Sequence, residues 1–369
     1  MLRNSIRRER LRAGLTQTQL GEQVGATRQA IIAIERGKRN PSTSLALALA
    51  RVLKRPVEVL FSLGDDDSII QLDKAMEATG PVKIARVDGA WVAHSITEPN
   101  QLADGELVVG DSGPNTYALS LYERPERLGE QILLAGCAPL LGWIEAFVNS
   151  RHDSLRVTWI PCNSSQALDL LSAGRVHAAG VHFARDDDPQ HHAQLARKAI
   201  SDRDMSMVHL ANWQTGLVTA EHNPLSLTPT NAPTHEALKW AVRENGSGAN
   251  RVHHALFQNL GLSYRLDACH KAVLRHRDVA SLVAHQVVDV GVAIEPVALR
   301  NNLGFCPIQT ERFDVLVPSD RLGTPQFTSF LELLHDSRLR RGLAHLAGYN
   351  TERFGQVLDC DVPTSHAHS

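Results

Sequence analysis

Arg28 and Gln29 carry side chains shaped to read DNA. A guanidinium can pair twice with guanine and a carboxamide twice with adenine. They open a short apolar-periodic stretch, Thr27 to Gly37, that follows a similar one, Thr16 to Val24. Two short helices around a tight turn are the arrangement that lays one helix in the major groove. Thr16 with Gln19 three residues on is a capping-box pattern. Leu20 and Val24 sit four apart and face inward, and Gly25 stands where the turn needs a positive φ. Thr27 caps the next helix, Ile31 and Ile34 anchor it and Gly37 stops it, which leaves Arg28, Gln29, Ile32 and Ala33 outermost. Gln17 before them and Lys38, Arg39 and Asn40 after them are placed to hold phosphates. Glu35 is expected to pair with an arginine instead of meeting DNA. Upstream, Leu2, Ile6 and Leu11 predict a first helix ended by Gly14; downstream, Pro41-Ser42-Thr43-Ser44 opens a fourth with Leu45, Leu49 and Leu53 on one side.

Charge points the same way. Residues 1–62 hold 12 Lys and Arg against four acids, whereas the other residues hold 26 against 36. A basic head on an acidic body is the footprint of a phosphate-binding module joined to something else.

A second group of residues suits a small anion. Three turns carry glycine, cysteine or hydroxyls where strands give way to helices: Ala135-Gly136-Cys137-Ala138, Pro161-Cys162-Asn163-Ser164-Ser165, and Asn245-Gly246-Ser247-Gly248-Ala249-Asn250-Arg251. Free amides at a helix start, with hydroxyls beside them, form an anion site. The elements that position them alternate. Strands are expected at 131–136, 157–160, 178–183, 216–219, 238–242, 288–293 and 313–317, with helices at 140–144 and 166–173, an alternation that argues a parallel-sheet α/β body with ligands at the strand carboxyl ends. Between head and body, Leu63-Gly64-Asp65-Asp66-Asp67 is an acidic break, and residues 82–110 alternate as a small β unit or extended connector.

Other chemistry is weakly signalled. Cys137, Cys162, Cys269, Cys306 and Cys360 are an odd, scattered set without a CxxC pair and read as reduced thiols. The pairs His191-His192 and His253-His254 point apart on a helix, and no HxxxH or HExxH spacing occurs, so no metal site is expected. No Walker loop or G-x-S-x-G elbow is present, so the chain is expected not to be an enzyme. No apolar run reaches the ~18 residues of a membrane span, and the arginine-rich start is no signal peptide; a cytoplasmic protein is expected.

Over residues 2–62 the five short helices and their glycines resemble the lambda-repressor/Cro-like (XRE) DNA-binding domain. That resemblance places Arg28, Gln29 and Ala33 toward base edges, with the capping Thr27 in the same DNA-facing set. It implies a homodimer on a palindromic double-stranded operator. Residues 131–358 resemble the two-lobed periplasmic-binding-protein fold, in the branch related to molybdate-binding proteins. Gly174 to His182, Gly216-Leu217-Val218, Asn245-Gly246-Ser247-Gly248 with Arg251, Gly291 to Glu295, Glu311-Arg312-Phe313-Asp314 and Gly348 to Thr351 carry it. Ala85 to Gly89 and Val92-Ala93-His94 resemble the connector of one-component regulators that join such a head to such a body.

The fold expected is therefore multidomain, α plus α/β. A helix-turn-helix domain fills 1–62, a linker and β connector 63–130, and a two-lobed type II body 131–358, with a tail at 359–369. The lobes are expected at 131–210 with 300–358, and at 211–299, crossing near Met207 to Trp213 and 295–310. The resemblance implies a ligand-tuned regulator whose effector is a molybdate-like oxyanion held by Gly136, Cys137, Ser164, Ser165, Ser247, Gly248 and Asn250. Arg251 adds charge there or salt-bridges to Glu295. No cofactor is expected beyond that effector. Ala138, Asn250 and Phe313 depart from the family pattern near the site. The alternatives are a ligand-independent repressor whose body only dimerises, and an α/β enzyme with a DNA-binding head.

Overall fold

The structure, a computed structural model, describes residues 2–4, 6–63, 80–96, 101–109, 117–122, 128–151, 155–182, 189–200, 203–262 and 271–360. The acidic run 64–67, Cys269 and the tail from 361 lie outside the described residues. The chain forms two units, Met1–Lys83 with Leu102–Arg124 and Ile84–Gln101 with Pro125–Ser369, so the stretch 63–130 contributes to both.

In the first unit, five helices follow one another: α1 (Ile6–Arg12), α2 (Gln17–Val24), α3 (Arg28–Glu35), α4 (Thr43–Leu53) and α5 (Val57–Leu60). Each main start is capped as the spacing predicts. Thr16 and Gln19 form a full capping box, Thr27 Oγ1 accepts from Ala30 N, and Ser42 Oγ accepts from Leu45 N. Ile6, Leu20, Ile31, Ile34, Leu49 and Leu60 meet in a core from which water is excluded, each such burial stabilising by about 1.5–3 kcal/mol. The expected start of the first helix is wrong. Leu2–Asn4 is a short strand, β1, paired antiparallel with β2 (Phe61–Leu63), and Leu11 is 60% exposed. Asn4 explains the switch: its Nδ2 donates to Ile34 O at 2.6 Å while its Oδ1 accepts from Ile6 N at 3.3 Å, so the helix starts behind it. Further on, the start of β3 (Gly80–Val87), then β5 (Gly105–Val109) and β6 (Tyr117–Leu121) pair antiparallel.

The second unit begins with a hairpin. The end of β3 and β4 (Ala90–Ser95) flank Asp88-Gly89, both left-handed at φ 48° and 82°, the pairing of residues that a tight hairpin turn requires. Its body is built on β7 (Gln131–Gly136), β8 (Arg156–Pro161), β9 (Ala178–Val181), β10 (Met205–Thr219), β11 (Trp240–Arg243), β12 (Lys271–Val273), β13 (Val290–Ile294) and β14 (Gly304–Pro318). The order across the sheet is β12-β11-β13-β10-β14-β9-β7-β8. The expected parallel pairing is found within each half but not between them. β8-β7-β9 and β12-β11-β13 are parallel triplets, but between them run β10 and β14, antiparallel over 15 residues each. The expected strands 216–219 and 313–317 are only the ends of these two. The second crossing is also later than expected, since 295–300 is helical.

Helices α6 (Pro139–Asn149) and α7 (Ser164–Ser172) follow β7 and β8; α8 (Pro189–Ala199) follows β9. On the other half, α9 (Gly248–Asn259) follows β11, α10 (His276–Ala284) follows β12 and α11 (Glu295–Arg300) follows β13. Each half thus presents strand ends and helix starts toward a shared cleft, the place where α/β sheets bind ligands.

Candidate functional site: a cleft between two half-sheets

The cleft is assembled from turns that need small residues. At Gly136 a Cβ would come within 2.9 Å of Gly180 O, so β7 can lie against β9 only without a side chain there. Cys137 follows and stands half-buried before α6. Trp213 on β10 faces Glu311 on β14 in register, and its indole Nε1 donates to Glu311 Oε2 at 3.2 Å. Glu311 also accepts from Gln309 Nε2 at 2.8 Å and lies 2.8 Å from His182 Nδ1. His182 follows β9, is 2% exposed, and is hydrogen-bonded to Cys137 as well.

Electrostatics ties these three together. Burial alone would lift Glu311, but the His182 charge and the hydrogen bonds outweigh it and hold the carboxyl below its ordinary range. Burial alone would lower His182; Glu311 and Cys137 reverse that and hold it protonated. Cys137 follows suit, its burial penalty overcome by His182 so that its thiol is brought down. Across the cleft His276, at the start of α10, is 2% exposed, and among the described residues neither ring nitrogen has a hydrogen-bond partner. Burial, then the neighbouring Arg243 and His182 charges, keep it neutral. Arg243 ends β11; its Nε and Nη2 donate to the Glu244 carboxylate at 2.9 and 3.1 Å, and its buried Nη1 has no partner among the described residues.

The residues expected from sequence divide into two groups. Cys137, Ser164, Ser165, Ser247 and Gly248 come together at the cleft. Ser165 Oγ donates to Gly246 O at 3.0 Å, a bond from one half to the other. Gly248 lies so close to the His182 ring that a Cβ would sit 2.0 Å from Cε1. Ser164 Oγ accepts from His182 N at 3.4 Å. Ser247 Oγ donates to Glu244 O and accepts from Asn250 N, and Asn250 Nδ2 donates to Arg243 O at 2.7 Å, so both residues brace the turn. Arg251 is exposed, donates to Gly246 O at 3.3 Å and, among the described residues, forms no ion pair with Glu295. Glu295 sits at the first position of α11, its carboxyl raised by burial. Of the adjacent histidines, His253 stacks on Trp240 with centroids 4.5 Å apart, and His192 Nδ1 lies 3.1 Å from Asp314 Oδ2.

His182, His276, Glu311 and Arg243 were not singled out by spacing. Their signal is position: Arg243 ends a strand, His182 follows one and His276 begins a helix on the cleft side, and Glu311 sits mid-strand where an acid in a buried run needs partners.

In the head, Arg28 and Gln29 at the start of α3 and Lys38, Arg39 and Asn40 after it are exposed; Ala33 is half-buried. Thr27 is occupied by its cap. Glu35 pairs with Arg10 at 2.6 Å, as expected, and also accepts from Gln17 Nε2 at 2.8 Å, so Gln17 is tied to the head's own frame. Gly21 is required at the α2–α3 contact: a Cβ would fall 2.7 Å from Ala26 O.

Comparison with known proteins follows this division. A helix-turn-helix family model matches residues 6–60, and the model of the PBP superfamily domain matches 145–335, more than half of the chain. The chain belongs to the PBP superfamily and to the HTH-type transcriptional regulators. An uncharacterized HTH-type regulator of Methanothermobacter thermautotrophicus is 48% identical over 66 residues, 18% of this regulator and 96% of the relative. The uncharacterized protein YvgK of Bacillus subtilis is 22% identical over 199 residues, 53% of this chain and 63% of that one. Among solved structures, an ABC-type phosphate transport receptor from Vibrio cholerae covers 60% of the regulator and 99% of its own chain, at 15% identity and a TM-score of 0.40. The effector-binding domain of QuiR in complex with shikimate covers 58% and 98%, at 14% identity and a TM-score of 0.39. No described helix of the regulator is long and apolar enough to cross a membrane.

Proposed function

We propose that the protein is a one-component, cytoplasmic transcription regulator that binds a palindromic operator as a homodimer and is tuned by a small effector in the cleft of its body. Arg28 and Gln29 read base edges, and Lys38, Arg39 and Asn40 hold phosphates. The body acts as a sensor and not as an enzyme. The observation that carries this reading is the bond from Ser165 to Gly246, by which the two half-sheets already touch at the turns named for ligand binding. An effector that contacts both halves favours this closed form by its differential affinity, and a coupling of ~1–3 kcal/mol suffices for regulation.

A molybdate-like oxyanion is the effector class to test first. The amide-rich starts of α7 and α9 and the unpartnered Nη1 of Arg243 support it. The test is thermal unfolding of the full chain with molybdate, tungstate, sulfate and phosphate, beside operator selection from random duplex DNA. Stabilisation by molybdate or tungstate with a selected two-fold site is expected. No enrichment of any sequence would remove the regulator reading, and no response to any of the four anions would remove the oxyanion.

A further inference from the structure

Among the described residues Cys137, His182 and His276 each offer a ligand atom, and these atoms all lie within 4.8 Å of one another. They are far apart in sequence and come from both halves: Cys137 and His182 follow β7 and β9, and His276 opens α10. We propose that these three side chains bind a divalent transition-metal ion of the Zn(II) class, which fastens the two half-sheets together.

Four observations support the assignment. The donor set is one thiolate and two imidazoles, the mixed sulfur–nitrogen set that borderline ions such as Zn(II) and Co(II) prefer over Mg(II) or Ca(II). His276 is buried and, among the described residues, both its ring nitrogens are unpartnered, whereas buried polar atoms nearly always have a partner. His182 gives its Nδ1 to Glu311 at 2.8 Å, leaving Nε2 to ligate. A carboxylate behind a histidine is the support that metal-binding imidazoles usually have. Charge is favourable as well, because a Cys137 thiolate would meet the ion directly and the Glu311 carboxylate backs its His182 ligand, while Arg243 is paired with Glu244. Three protein ligands leave a tetrahedral ion one open position. The unpartnered Arg243 Nη1 is then a second donor for whatever anion takes it.

The metal site stands independently of the function proposed above. The decisive experiment uses the full chain, reduced and stripped of metal with EDTA, then titrated with Zn(II) against a chromophoric chelator and with Co(II) by absorbance. One equivalent per chain is expected, with a thiolate-to-Co(II) charge-transfer band in the near ultraviolet. Cys137→Ser should abolish that band, while Cys306→Ser, at a thiol elsewhere in the fold, keeps it. His276→Ala should weaken Zn(II) binding by more than the about 10–100-fold typical of an outer-shell change, and Glu311→Gln by about that range. Near-ultraviolet circular dichroism of each metal-free variant checks that it folds, and His276→Gln serves if the alanine variant does not.

Binding of Co(II) without the thiolate band, or equal affinity in wild type and His276→Ala, would overturn the site, since the chain's 18 histidines can bind metal nonspecifically. The two ideas fail separately. Zn(II) held at this site with no response to any of the four anions would sink the oxyanion reading and leave the metal site standing. No Zn(II) site, with an intact response to molybdate, would do the reverse.

Discussion

Replacing Glu35 with alanine should unfold the head while sparing the body. Glu35 is 3% exposed at its side chain and Arg10 8%. Arg10 gives Nε to Glu35 at 2.6 Å and Nη1 to Leu15 O at 2.8 Å, while Gln17 adds a bond to the same carboxylate. Without Glu35, Arg10 keeps its charge in a site built to neutralise it. Removing one partner of a buried pair costs about 3–5 kcal/mol, because the other charge is left uncompensated. At the usual ~0.05–0.15 kcal/mol per residue, a head of this size is stable by about 3–9 kcal/mol, so the loss is a large part of the total. A domain this small shifts by about 4–8 °C per kcal/mol, which puts its midpoint more than about 12 °C lower. Scanning calorimetry of the full chain, with two units to report, should show the head's transition moving and the body's staying. DNA binding should fail at temperatures where wild type binds. Arg10→Met with Glu35→Leu should recover much of the loss, since an apolar pair of similar volume replaces a buried ion pair at little cost. A drop of less than about 1 kcal/mol, the value of an exposed pair, would refute the argument.

Three further outcomes follow from other parts of the structure. Arg28→Ala should cost about 1–3 kcal/mol of operator affinity and relax sequence preference, whereas Lys38→Ala should weaken all sequences alike and reduce the salt slope by about one; titrations at several salt concentrations separate them. Gly248→Ala should hold the halves apart by forcing a methyl group against the His182 ring, and thermal stabilisation by any cleft ligand should then be lost while the metal-free fold melts near the wild-type temperature. His177 is pushed down to about 4 by burial and then by Arg321; its Nδ1 accepts from Leu133 N at 3.0 Å. The unfolded chain therefore binds the extra proton between pH 6.5 and 4. The contribution is whole above pH 6.5 and fades as pH falls through 4, a loss of about 3 kcal/mol that His177→Gln should not show in urea midpoints at the two pH values.

Much of the head was legible because its signals are local. Thr16, Thr27 and Ser42 act within three residues of themselves, and a cap needs no distant partner. β1 was hidden because Leu2 pairs with Leu63, and periodicity over so few residues cannot tell one turn of helix from a strand. In the body the short parallel strands were visible as apolar runs. β10 and β14 were not, because Ser206, His209, Asn212 and Gln214 interrupt one, and Gln309, Thr310, Glu311 and Arg312 the other. Some of those polar residues are paired across the two strands, as Gln214 to Thr310 and His209 to Asp314. The turns at 136–138, 163–165 and 245–251 were found from their glycines and hydroxyls. The histidines that share the cleft were not, because a cluster gathered from three distant segments leaves no spacing to read.

The pairing of β10 with β14 runs without a break in direction from Met205 opposite Pro318 to Thr219 opposite Gly304. Topologically this is one long hairpin, and the whole far half of the body is its loop. The chain leaves the near half and returns to it at neighbouring points, about 5 Å apart. Such a half is an insertion: it can be cut out and the strands closed by a tight turn, or exchanged for a relative's, without disturbing the order of β9, β7 and β8. Ligand preference can therefore be grafted as a cassette, while the near half keeps its own strands and helices.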